Sequence, residues 1–159
     1  MIQLADEFFA AKDDPNQLSI DEEVMARLKL IHPATMNEHR LPEGPVAWTI
    51  VIPTTQETMD LFLVPKGWIP KGSMSEKQLF ERTTTGQSFT AAYLCSALVL
   101  PEVRRQGLAQ RLLIESIRSM QRDHPLKQLY CWTFSEEGKM LAKAVVRELQ
   151  LPLFERWKK

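Results

Sequence analysis

The alternation of apolar and polar positions divides the chain into helices and strands. Residues 2–12 carry Leu4, Phe8 and Phe9 at near-helical spacing before Asp13-Asp14-Pro15, and they read as a helix. Residues 19–31 form a stronger one. Ser19 with Glu22 fits a capping box, Val24, Leu28 and Ile31 make an apolar face, and His32-Pro33 stops the helix. Residues 36–45 are rich in turn formers and read as loop. Residues 46–52, Val-Ala-Trp-Thr-Ile-Val-Ile, are β-branched and aromatic and close on Pro53, as a strand does. Residues 55–64 predict a short helix with Met59, Phe62 and Leu63 inward. Residues 65–72 are a turn region, and Ser73 or Ser75 caps a further helix through Arg82. Residues 83–88 read as loop.

The second half is more regular. Residues 90–100 are the longest apolar run and read as a fully buried strand. Residues 108–122 predict a helix with Leu112, Leu113, Ser116, Ile117 and Met120 on one face, ended by Asp123-His124-Pro125. Residues 129–134 read as a strand. Ser135 caps a helix to about residue 149, Pro152 breaks it, and Leu153-Phe154 form a last short strand. Strands alternating with helices argue for an α/β domain with at least one parallel pair joined by a right-handed crossover. The long connection over residues 54–90 carries two helices rather than plain loop.

Composition narrows the function more than the fold. The 159 residues are the length of one domain. Twenty basic residues balance twenty acidic ones, so no global field marks a nucleic-acid or membrane binder, and an anionic ligand must be held locally. No apolar run approaches the ~18 residues of a membrane span. The first residues lack the basic and apolar regions of a signal peptide, so a cytoplasmic protein is expected. Cys95 and Cys131 lie in apolar runs, read as buried free thiols, and lack metal-site spacing; no metal is expected.

The informative chemistry lies in residues 97–113. An apolar strand ends at Leu100, a short loop with Arg104, Arg105 and Gly107 follows, and a helix starts at once. A helix N-terminus offers unpaired N–H groups and a positive dipole end, and behind a strand it is a ready anion site. Gly107 and the small Ala109 would let a ligand approach the backbone, and the two guanidinium groups add donors. A plain strand-to-helix connection with a solvated basic pair would carry the same residues. Neither Gly-x-x-x-x-Gly-Lys-[Ser/Thr] nor Gly-x-Gly-x-x-Gly occurs, which counts against a nucleotide module.

Arg104-Arg105-Gln106-Gly107-Leu108-Ala109 resembles the [Gln/Arg]-x-x-Gly-x-[Gly/Ala] motif of the GNAT family of N-acetyltransferases, and the similarity extends from about residue 90 to residue 141. The resemblance implies an α+β fold with a mixed central sheet flanked by helices. Here that sheet would be trimmed at its first and last strands. It implies a single domain over residues 1–159: a helical N-terminal part (1–45), a helical insertion (54–90) and an acetyl-CoA-binding core (90–150). It also implies acetyl-CoA as cosubstrate. Arg104, Arg105, Gln106, Gly107, Leu108, Ala109 and Gln110 would hold the pyrophosphate, while Leu98, Val99 and Leu100, on a bulged strand, would line the pantetheine arm. Ser135, at the end of a strand that splays from its neighbour, would meet coenzyme A or simply cap its helix.

The activity so implied is direct transfer of acetyl to an amine, with a base for the ammonium and an acid for the leaving thiolate. The family's usual acid, a tyrosine, falls at Ala142, and no tyrosine follows Tyr130. The strand position of a carboxylate base falls near Tyr93. By alternation Tyr93 shares a face with Cys95, Ala97 and Val99, and it reads as a proton shuttle, as part of the acceptor-pocket lining, or as a core tyrosine with a satisfied hydroxyl. Glu102 reads as orienting the loop, and His124 as a helix-dipole partner; nothing promotes His32 or His39. A catalytically silent acyl-CoA binder on the same fold is the alternative. Trp68 and the rest of the insertion could cover the acceptor site or fill in for lost strands, and an edge left by trimming could be covered in a homodimer.

Overall fold

The computed structural model describes residues 18–63, 74–132 and 135–156. The helix expected over residues 2–12, the turn region with Trp68, and Thr133-Phe134 lie outside the described residues. Among the described residues, five helices and a five-stranded mixed sheet follow one another as α1 (Glu22–Ile31), β1 (Met36–Leu41), β2 (Gly44–Thr54), α2 (Gln56–Leu63), α3 (Glu76–Arg82), β3 (Ala91–Val99), α4 (Leu108–Asp123), β4 (Gln128–Cys131), α5 (Glu136–Leu149) and β5 (Leu153–Glu155), with a short 3₁₀ turn, Pro101–Val103, between β3 and α4.

The sheet order is β1-β2-β3-β4-β5. The first three strands are antiparallel, whereas β4 runs parallel to β3 and β5 parallel to β4. The two parallel pairs are joined through α4 and α5, the crossover arrangement expected from alternating strands and helices. β2 is buried from Val46 to Thr54 because it is paired on both sides. One stripe of α4, including Leu112, Leu113, Ile117 and Met120, is buried as its spacing predicts. Phe62 of α2 meets Tyr93 edge-on, with ring centroids 4.9 Å apart, and Tyr130 stacks beyond. Each fully buried aromatic or aliphatic side chain of this kind stabilises the fold by roughly 1.5–3 kcal/mol.

Several sequence expectations change. Residues 36–45 are not loop: Met36–Leu41 is an edge strand, turned at Pro42-Glu43 into β2. Two strands, not one, therefore precede β3. β1 escaped notice because its partner supplies the hydrogen bonds and its side chains, Asn37, Glu38, His39 and Arg40, are only partly buried or exposed. α1 starts at Glu22 with Asp21 as its cap, not Ser19: Asp21 Oδ1 accepts from the Val24 N–H at 2.8 Å, and Glu22 and Glu23 favour the positive end of the dipole. Of the two serines offered for α3, Ser75 makes the cap, in a full capping box with Gln78.

Candidate functional site

The site begins where β3 loses its neighbours. Against β2 the register runs Ile50 to Ser96 and then Val51 to Leu94, so Cys95 is an extra residue in a bulge. Against β4, pairing covers only Ala91 to Leu94. Beyond that point β3 continues to Val99 with its β4-side edge unpaired by β4, over about 16 Å at ~3.3 Å per residue. A cleft of about 570 Å³ opens along this edge, within the usual size range of small-molecule sites. One wall is β3 from Leu94 to Val99. The other is Cys131 and Trp132 with Ser135, Gly138, Leu141 and Ala142 of the α5 start; Arg104, Arg105 and Ala109 stand at one end.

The bulge also resets the alternation. Tyr93 and Cys95 both reach Glu76, whereas Val99 packs with Ala47, Leu108 and Leu112 under α4. The single face expected for Tyr93, Cys95, Ala97 and Val99 is therefore split.

The loop after β3 gathers positive charge at the start of α4. Leu100 extends the ladder by donating its N–H to Val46 O at 2.8 Å, and Arg104 Nε donates to Val99 O at 3.1 Å, which holds this guanidinium over the free edge. Arg105 (φ 67) and Gly107 (φ 73) both adopt the left-handed conformation. For Arg105 that conformation is strained by roughly 1–2 kcal/mol, and such strain clusters at ligand sites. Gly107 is the N-cap of α4, where no side chain caps the helix and no acidic residue sits in the first turn. The first N–H groups of this 16-residue helix thus face outward beside two arginines. A Cβ at Gly107 would meet nothing within 4 Å, so the positive φ, rather than crowding, is what favours glycine.

The structure brings Leu98, Val99, Arg104, Arg105, Ala109 and Ser135 into the cleft. Leu100, Gln106, Gly107, Leu108 and Gln110 flank it without lining it; Leu108 is buried under α4. Ser135 has both features read from the sequence: its Oγ accepts from the Gly138 N–H at 3.0 Å as the cap of α5, and it lines the cleft. Ala142 lines it too and is buried, so the position counted for a family tyrosine does face this space.

Tyr93 does not line the cleft. It is fully buried, and its hydroxyl donates to the Glu76 carboxylate. Burial, reinforced by the nearby Glu76 charge, pushes its ionisation well above the usual range. Glu76 was not legible as a functional group, because a glutamate in the first turn of a helix reads as a dipole partner. It is buried, its Oε1 accepts the Leu18 N–H at 2.8 Å, and its Oε2 lies 3.9 Å from Cys95 Sγ. Cys95 lines the cleft where β3 and β4 part. Both cysteines are free thiols. Burial pushes Cys131 up to about 12, and burial together with Glu76 raises Cys95 well above its ordinary value.

His124 is a correction. A dipole partner at a helix C-terminus would be held protonated, yet burial and neighbouring His32 lower its pKa, and its Nδ1 accepts from the Phe89 N–H at 3.4 Å. Glu102 is exposed on the 3₁₀ turn. No group of residues suited to hold a metal occurs among the described residues, and no helix among them is long and apolar enough to cross a membrane.

Neither the family models nor the curated proteins contain a match to this sequence. A solved structure does match: the GphF GNAT-like decarboxylase in complex with isobutyryl-CoA, with a TM-score of 0.50 over 91% of this chain and 69% of that one, at 15% sequence identity. At that identity the likeness shows the fold alone. The five-stranded mixed sheet, parted between β3 and β4 and flanked by five helices, is a GNAT-like fold.

Proposed function

We propose that the cleft between β3 and β4 binds acetyl-CoA and that the protein is an N-acetyltransferase delivering the acetyl group to an amine. The observation that carries this reading is the coincidence of three features in one cleft. An extended edge of β3 is left unpaired by β4, the N-terminus of α4 is uncapped by any side chain, and Arg104 and Arg105 stand beside it. A pyrophosphate suits the helix end and the guanidinium groups. An extended amide-bearing arm suits a strand edge, where Leu98, Val99 and Leu100 would accompany it. That the structurally similar GphF decarboxylase is described in complex with isobutyryl-CoA supports an acyl-CoA here.

The loop amides and arginines bind and orient the anionic end, and the apolar walls at Leu94, Leu113 and Leu141 exclude water from the thioester end. Acetyl-CoA incubated with a panel of small amines and N-terminal peptides should release free thiol together with an acetylated product found by mass spectrometry. Acetyl-CoA binding with no product from any amine would favour the second reading, a silent acyl-CoA binder. That reading draws on Ala142, which places a methyl group where an acid would protonate the leaving thiolate.

A further inference from the structure

Cys95 and Glu76 come from different elements and meet beside the cleft, where β3 and β4 part. Cys95 is the bulged residue of β3, one step beyond the last β3–β4 pair, Leu94 with Cys131. Its thiol lines the cleft, and the Glu76 carboxylate lies 3.9 Å behind it. Glu76 is a buried acid that α3, within the helical insertion, carries to this point, with Tyr93 and the Leu18 N–H holding its two oxygens. β3 from Cys95 to Val99 spans about 16 Å at ~3.3 Å per residue, so an acyl-CoA laid along it from Arg104 and Arg105 would carry its thioester towards Cys95.

We propose that Cys95 and Glu76 form a nucleophile–base pair that accepts the acyl group from the bound thioester, giving an acyl-Cys95 enzyme. This inference rests on the acyl-CoA reading of the cleft. Glu76 takes the Cys95 S–H proton, the Cys95 sulfur bonds to the acyl carbon, and the bond from that carbon to the coenzyme A sulfur breaks. The departing thiolate takes a proton from solvent while Glu76 keeps the Cys95 proton, so one thioester is exchanged for another without an oxidant or reductant. An amine then attacks the acyl-Cys95 carbonyl, the Cys95 sulfur leaves and takes back the proton held on Glu76, and the amine gives its own proton to solvent. Two displacements replace the single direct attack expected from the sequence. Burial and the Glu76 charge raise the Cys95 pKa, so at rest it is a neutral thiol and not the thiolate that attacks.

The test is intact-protein mass spectrometry after incubation with acetyl-CoA, alongside calorimetric binding of the same ligand. The expected result is one acetyl group per chain, mapped to Cys95, released by hydroxylamine, and absent from Cys131. C95S should bind acetyl-CoA as the wild type does and take up no hydroxylamine-labile label. E76Q should label roughly a hundredfold more slowly, the scale of a lost general base. Y93F leaves the carboxylate in place with one donor fewer and should still label, and E76Q should melt cooperatively and bind acetyl-CoA, which separates a lost base from a lost fold. Binding without label on Cys95, or equal label on Cys95 and Cys131, overturns the pair. Absence of binding overturns the reading of the cleft, and the pair with it.

Discussion

Replacing Gly107 by glutamate separates the fold from the anion site. Gly107 caps α4 at φ 73 and ψ 17, and its missing Cβ faces open space. A side chain there meets no clash and bears only the left-handed penalty of roughly 1–2 kcal/mol. A carboxylate at a helix N-terminus returns about 0.3–1 kcal/mol through the dipole. The net destabilisation is about 1 kcal/mol, a fall of roughly 2–4 °C in Tm for a domain of this size. The same carboxylate occupies the positive helix end and opposes the pyrophosphate. Two like charges ~4 Å apart repel by about 4 kcal/mol at an effective dielectric near 20. Even a third of that is tenfold in affinity. Gly107→Ala carries the strain without the charge. Thermal melts should therefore place the two variants close together, while calorimetry with acetyl-CoA shows G107E at least tenfold weaker and G107A within about threefold of wild type. Wild-type affinity in G107E would refute the assignment of this helix end to the pyrophosphate.

Other outcomes follow from the same geometry. Arg105→Gly relieves the left-handed strain at φ 67 but adds glycine's unfolded-state entropy of ~0.5–1 kcal/mol, so denaturant melts should show stability unchanged or up to ~1 kcal/mol higher. Acetyl-CoA should then bind up to about fivefold more weakly, as befits one exposed charge contact. Ser135→Ala removes the cap of α5 and should lower stability by about 1 kcal/mol, read as a Tm fall of roughly 2–4 °C. His124 has a lowered pKa in the folded protein, so the unfolded chain takes up a proton first as pH falls. Its contribution is full above about pH 6.5 and is lost as pH falls from there towards the folded value. Melts between pH 7.5 and 5.5 should show that loss, and His124→Gln should flatten it.

How far the sequence could be read depended on whether the deciding interactions were local. The strand, loop and helix from β3 to α4 were legible because an apolar run, two arginines, a glycine and an amphipathic stripe lie side by side in the chain. The position of Ala142 in the cleft could be reached by counting along a regular helix. β1 was not legible, since an edge strand takes its hydrogen bonds from β2 and leaves Glu38 and Arg40 on the surface, where they form a weak ion pair. Nor was the bulge at Cys95. Alternation assumes an unbroken ladder, and one extra residue reversed the faces of everything after it. Glu76 stayed hidden for the same reason at longer range. Only the packing of α3 against Tyr93 and Leu18 turns an ordinary first-turn acid into a buried carboxylate behind the cleft.

The central claim is that acyl-CoA lies along β3 with its pyrophosphate on the N-terminus of α4. The most direct measurement is a nitrogen-15 amide titration of this 18.3 kDa protein with acetyl-CoA. The account predicts the largest shifts at the Leu108, Ala109 and Gln110 amides and along β3 from Cys95 to Val99. Saturable shifts confined to another surface, or none at all, would contradict it.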